Sequence, residues 1–197
     1  MASATSFEQE IKKYFTQKDI KFSDNSSSFK QLDFTIFDKH DQPSFHLEVK
    51  EKRQKYNLTN WYPFAPEEDL FVLDDLTVRK CLAHAPNSGL MIRDNLREKY
   101  FFFSVLDLAL MPRLRANRPI NRTQPTIKGK WLINLRNGKS AASLEEAIFY
   151  IRYYLRDLDQ YLFEMLECYG KYVDEEILEG GILRKPSHWD TDVQSTR

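Results

Sequence analysis

Cysteine is nearly absent from this chain. Its 197 residues include two, Cys81 and Cys168, which form no spaced pair. They read as reduced thiols of an intracellular protein and exclude a disulfide framework. Four scattered histidines (His40, His46, His84 and His188) and the lack of any CxxC leave no zinc signature. Long apolar runs are missing as well. The longest, Tyr100 to Met111, is interrupted by Ser104 and Asp107, far short of the ~20 residues a membrane helix requires. No basic stretch followed by an apolar one opens the chain, so no secretory signal is visible and the expected location is the cytoplasm, away from membranes.

Net charge is lacking too. The 29 basic and 29 acidic side chains cancel, which argues against nucleic-acid binding through overall charge. Locally it is the acids that are missing. Between Leu108 and Leu144 there is no Asp or Glu, while Arg113, Arg115, Arg118, Arg122, Lys128, Lys130, Arg136 and Lys139 all occur there. Acids gather later, from Glu145 to Glu179. A neutral sum therefore conceals a basic middle and an acidic C-terminal part.

What the sequence does contain is apolar material: 42% hydrophobic and 14% aromatic, enough for a core without a staple at this length. One domain is expected over 1–180, with a core at 6–111, a basic loop at 112–130 and a C-terminal strand and helix at 131–178; residues 181–197 read as a tail. Ser6 with Gln9 forms a capping box opening a helix whose apolar face is Phe7, Ile11, Tyr14 and Phe15. Ile20–Phe22, Leu32–Phe37 and Phe45–Lys50 read as strands, the last two as an antiparallel hairpin. Residues 56–68 are irregular and aromatic. Leu73–Ala85 reads as a helix capped by Asp74 or Asp75, Leu90–Arg93 and Tyr100–Leu106 as strands, and Trp131–Leu135 as another. Pro112, Pro119 and Pro125 suggest that the basic stretch is loop. Ser143 with Glu146 starts the longest helix, to about Tyr169.

Chemistry concentrates on the hairpin. Residues two apart in a strand share a face, so Phe45, Leu47 and Val49 point into the core while His46, Glu48 and Lys50 point the other way. Leu32, Phe34 and Ile36 form the buried face of the partner strand, with Asp33 opposite. Asp33, Glu48 and Lys50 are thus expected to gather on one surface. Two carboxylates suit Mg²⁺ (or Mn²⁺), a hard cation preferring oxygen. Such an ion polarises a phosphodiester and acidifies a bound water. A neighbouring ammonium can orient that water or stabilise charge on the phosphate.

Asp33 followed by Glu48-Val49-Lys50 resembles the motif of the PD-(D/E)xK nuclease superfamily, the restriction-endonuclease-like proteins. The superfamily's leading Pro is replaced here by Leu32, and the resemblance ends near Asp94. It implies an α/β (α+β) fold: a mixed central sheet flanked by helices, built as helix, three-stranded meander, helix, strand; the long C-terminal helix read from Ser143 onward follows outside the resemblance. It implies a Mg²⁺-dependent phosphodiesterase, an endonuclease before an exonuclease, with nucleic acid, DNA first, as partner and homodimerisation left open. Asp33 and Glu48 would hold the metal, and Lys50 would position the water. Glu8 matches the Glu that many members carry on the first helix, and Glu10 matches it less well. Lys52 and Arg53, following the motif, and Arg113, Arg115, Arg118 and Arg122 are the expected nucleic-acid contacts.

Plainer readings stand beside these. Glu48 and Lys50 can be a solvated hairpin face paired with Asp33, and Glu8 a first-turn acid favoured by the helix dipole. The arginines can be solvated loop, and Trp61, Tyr62 and Phe64 a loop folded onto the core. At the level of the whole chain, the rivals are an inactive nuclease-fold module that binds nucleic acid or a protein, and an unrelated α+β scaffold assembling through helix 143–169.

Overall fold

The computed structural model describes residues 5–121, 124–166, 172 and 173, with the backbone alone at 118–121, 124–126 and 161–166. Ser6 caps α1 (Phe7–Gln17): its hydroxyl accepts the Gln9 N–H, and the Gln9 side chain accepts the Ser6 N–H, each at 3.3 Å. Then come β1 (Phe22–Asp24), β2 (Phe34–Phe37), β3 (Pro43–Lys52), β4 (Leu70–Asp74), α2 (Asp75–Ala83), β5 (Ser88–Asp94), β6 (Lys99–Ser104) and α3 (Val105–Leu110). β7 (Leu114–Asn121), β8 (Gln124–Asn134), a 3-10 turn (Leu135–Asn137), β9 (Lys139–Ala141) and α4 (Leu144–Leu166) complete the order.

Among the described residues the strands form two sheets. The larger runs β1-β2-β3-β5-β6-β9, and the smaller β4-β8-β7. The larger is mixed: β1, β2 and β3 make an antiparallel meander, and β5 joins β3 in parallel. The architecture is therefore mixed α+β, in the expected order of helix, meander, helix, strand, with β4 inserted before α2.

Alternation along β3 divides the core. Phe45, Leu47 and Val49 are buried with Phe7, Ile11 and Phe15 of α1 and Ile148, Ile151 and Tyr154 of α4. The sheet's other face buries Leu90, Ile92, Phe101 and Phe103 against Val78 and Cys81 of α2, Leu108 of α3 and Phe71, Leu73 and Ile133 of the small sheet. β5 is buried on both faces, as a central strand with a parallel neighbour should be. Each fully buried side chain of this kind contributes about 1.5–3 kcal/mol. Trp61, Phe64 and Ala65 pack over Leu70, Ala116 and Leu132 on the outer side of the small sheet, so the aromatic segment does fold back onto the core.

Four expectations need correction, the first being that Val105 and Leu106, read as the end of a strand, open α3 behind the Ser104 cap. The basic stretch is largely an antiparallel pair, β7 with β8. Ala116 and Leu132 anchor it on the core, and that burial outweighs the prolines. Leu70–Asp74, partly read as helix, is a strand that pairs with Asn134–Lys130. Leu32 does not share a face with Phe34. Regular pairing of β2 begins at Phe34, and Leu32 turns into the second cluster while Phe34 enters the first. The tail 181–197 and the helix end near Tyr169 lie outside the described residues.

Candidate active site

The hairpin opens where the motif residues sit. The last paired residues toward that end are Phe34 of β2 and Leu47 of β3. Beyond them the Val49 N–H is met by a side chain: Asp33 Oδ2 accepts it at 2.8 Å. This bond holds Asp33, 7% exposed, beside β3. Glu48, on the β3 face covered by α2, is 1% exposed.

Lys50 joins the two. Its Nζ donates to Glu48 Oε1 at 2.7 Å and to the Val49 carbonyl at 3.1 Å, and lies 3.7 Å from Asp33 Oδ2. Burial would push this ammonium down, but Glu48 and Asp33 outweigh it, with a smaller contribution from Glu8, and the pKa is raised. Burial drives the Asp33 carboxyl above its ordinary range, with Lys50 opposing and Glu48 adding to the rise. Asp33, Glu48 and Lys50 are thus brought together, and Glu8 in the first turn of α1 acts on Lys50 through its charge. Glu10 faces elsewhere, accepting from Arg93 Nη1 and the Tyr100 hydroxyl, both at 2.5 Å.

Two residues of α2 escape a reading of the sequence alone. Lys80 Nζ donates to Glu48 Oε2 at 2.9 Å and to the Gln31 carbonyl at 2.8 Å. Thr77 Oγ1 is 3.4 Å from Glu48 Oε1. Their spacing of one helical turn is visible in the sequence, but which face of α2 meets β3 is not. His46 lies on the same β3 face. Its ring stacks on His84 at 4.1 Å between centroids, and its Nδ1 is 3.2 Å from Thr35 Oγ1.

An all-oxygen group surrounds Lys50 Nζ: two carboxylates and one carbonyl. That donor set suits a hard cation, which takes oxygen ligands and fills the rest of its shell with water. Among the described residues no group of three or more His, Cys, Asp or Glu side chains is disposed to hold a metal. Asp33 and Glu48, with the Val49 carbonyl, are the donors available.

The expected nucleic-acid contacts separate. Lys52 is 1% exposed, donating to the carbonyls of Glu67, at 3.3 Å, and Glu68. It therefore does not face a ligand, because alternation from Lys50 carries it under residues 67–69, and burial lowers its pKa. Arg53 is exposed and pairs with Glu51. Arg113 is half-buried, donating to the Leu108 and Ala109 carbonyls at 2.6 and 2.7 Å and lying over Trp131. There it satisfies the end of α3. Arg115 is exposed, 3.7 Å from Asp75. Arg118 lies on β7 opposite Lys128. Arg122 lies outside the described residues.

No helix among the described residues is long and apolar enough to cross a membrane. No family model and no curated protein matches the sequence. Among solved structures, the fold is similar to that of a nuclease from a fusselovirus, with a TM-score of 0.43 and 10% identity, covering 76% of this chain and 87% of that one.

Proposed function

We propose that this chain is a metal-dependent nuclease of the PD-(D/E)xK type that hydrolyses phosphodiester bonds within DNA. The observation that carries the reading is the position of Lys50 Nζ, among Glu48 Oε1, the Val49 carbonyl and Asp33 Oδ2. The ammonium stands in for a cation in an oxygen cradle at the open end of a hairpin. The order of elements from α1 to β5 follows the superfamily core apart from β4, which is inserted before α2.

Asp33 and Glu48 would hold Mg²⁺ or Mn²⁺ with the Val49 carbonyl. The ion, when bound, would polarise the phosphate and lower the pKa of a water. Lys50, released from the carboxylates, orients the attacking water and stabilises the negative charge that grows on the phosphate oxygens. Glu8 adds negative charge that keeps Lys50 protonated. Arg53 and Arg115, both exposed, and Arg118 and Lys128, opposite each other on the β7–β8 pair, are the candidates for phosphate contact. Location in the cytoplasm belongs to the same reading, which leaves homodimerisation open.

A binding module without cleavage is the alternative. On its side is the pairing of Glu48 with Lys80 as well as Lys50, which neutralises the carboxylate without metal. Incubation with covalently closed plasmid tests the choice, since a closed circle offers no strand end. Nicking with Mg²⁺ or Mn²⁺, stopped by chelator, is the expected result. DNA binding without nicking in either ion favours the alternative.

A further inference from the structure

We propose that Lys80 is a positioning residue that sets the spacing between the two carboxylates. The inference rests on reading Asp33 and Glu48 as cation ligands. The hairpin carrying them separates at this point, since the ladder of β2 with β3 ends at Phe34 and Leu47. Asp33 itself is held to β3 by the Val49 N–H, but that ladder does not reach the segment before it, at Gln31. α2 supplies a tie from above. One ammonium, Lys80 Nζ, reaches the Gln31 carbonyl at 2.8 Å and Glu48 Oε2 at 2.9 Å. The Lys80 side chain is 13% exposed and that of Glu48 2%, so water competes poorly for the bond to Glu48, while Gln31 is exposed and its bond lies at the surface.

The two oxygens of Glu48 are divided between partners. Lys80 takes Oε2, and Oε1 accepts from Lys50, on the side of Asp33, and lies 3.4 Å from Thr77 Oγ1. Glu48 thereby presents Oε1 toward Lys50, whose ammonium also lies 3.7 Å from Asp33 Oδ2. The two alkaline-earth cations read such a constraint differently. Mg²⁺ demands near-ideal octahedral geometry at short range, whereas Ca²⁺ accepts longer and more flexible coordination. A spacing clamp therefore favours Mg²⁺ over Ca²⁺. The positive charge of Lys80 acts in another way: it repels both cations alike, so its loss alone would tighten both.

Calorimetric titration of the full chain with Mg²⁺ and, separately, with Ca²⁺ distinguishes the roles. Lys80→Met should weaken Mg²⁺ binding about 10- to 100-fold, the usual effect of removing a group that orients a metal ligand, and weaken Ca²⁺ binding less. Lys80→Arg, which keeps a charged donor, should restore most of the Mg²⁺ affinity. Equal changes for the two ions, tighter binding of both, or no change would overturn the clamp while leaving the metal site standing. Wild-type protein that binds neither ion would overturn the proposed function, and the clamp with it. If Lys80→Met does not fold, Lys80→Gln, which keeps a neutral donor, takes its place. A partial loss of Mg²⁺ preference is then expected, and an unchanged preference refutes the role.

Discussion

The carboxylate of Asp33 accepts the main-chain N–H of Val49 at 2.8 Å. A side chain thus takes the place of a strand partner where β2 leaves β3. The same interaction carries structure and chemistry, and substitutions should separate the two. Asp33→Ala leaves a buried N–H unsatisfied and should cost about 1–3 kcal/mol. Asp33→Asn keeps an acceptor and should cost less than half as much. Urea unfolding measures both, and equal losses would show that the bond to Val49 contributes nothing.

The stacked pair His46 and His84 predicts a pH dependence. Burial, and then the charge of His84, hold His46 below its ordinary value of 6.5. The unfolded chain therefore takes up this proton first as pH falls. The stability linked to His46 is present above about pH 6.5 and is lost as pH drops toward the lower folded value. His84→Ala removes one of the two causes and should raise the His46 pKa part of the way back. NMR titration of the imidazole protons in chelator-treated protein reads this directly, and a pKa unmoved by the substitution would assign the whole depression to burial.

The basic side chains should behave as two groups. Arg115→Ala with Arg118→Ala should weaken DNA binding about equally across sequences and lower the salt slope by about one unit for each phosphate no longer neutralised. Lys52→Met should leave that slope unchanged, because Lys52 is buried against the Glu67 and Glu68 carbonyls. Binding measured at several salt concentrations tests both. If the arginine pair lowers only thermal stability, those arginines serve as internal ion-pair partners, as the 3.7 Å approach of Arg115 to Asp75 would allow.

How far the sequence can be read depends on how local the signal is. The capping box at Ser6 and Gln9 lies within one turn, and α1 starts where it says. The two-residue alternation of β3 puts Glu48 and Lys50 on one face correctly. The same alternation misleads at Leu32, because strand pairing stops before it, and at Lys52, because chain distant in sequence covers the face it shares with Lys50. Leu73 and Asp74, the end of β4, read as the start of a helix: Leu70-Phe71-Val72-Leu73 is a short apolar run, which suits a buried strand or a helix equally. Its pairing with β8 decides the matter. Val105 and Leu106, the start of α3, read as the end of the preceding strand, although Ser104 and Asp107 make a capping box that marks the helix start. Lys80 is illegible for another reason: its partner carboxylate is on a different element, and only packing brings the two together.

The most direct test of the account is calorimetric titration with Mn²⁺ of wild-type protein and Asp33→Asn. The central claim is that Asp33 and Glu48 act as ligands and not merely as partners of Lys50. The amide keeps the hydrogen bond to Val49 but removes the charge that a divalent ion requires. Wild-type protein should bind Mn²⁺, and the variant should remain folded while binding it at least tenfold more weakly. Equal affinity in the two proteins, or no binding by the wild type, would contradict the account.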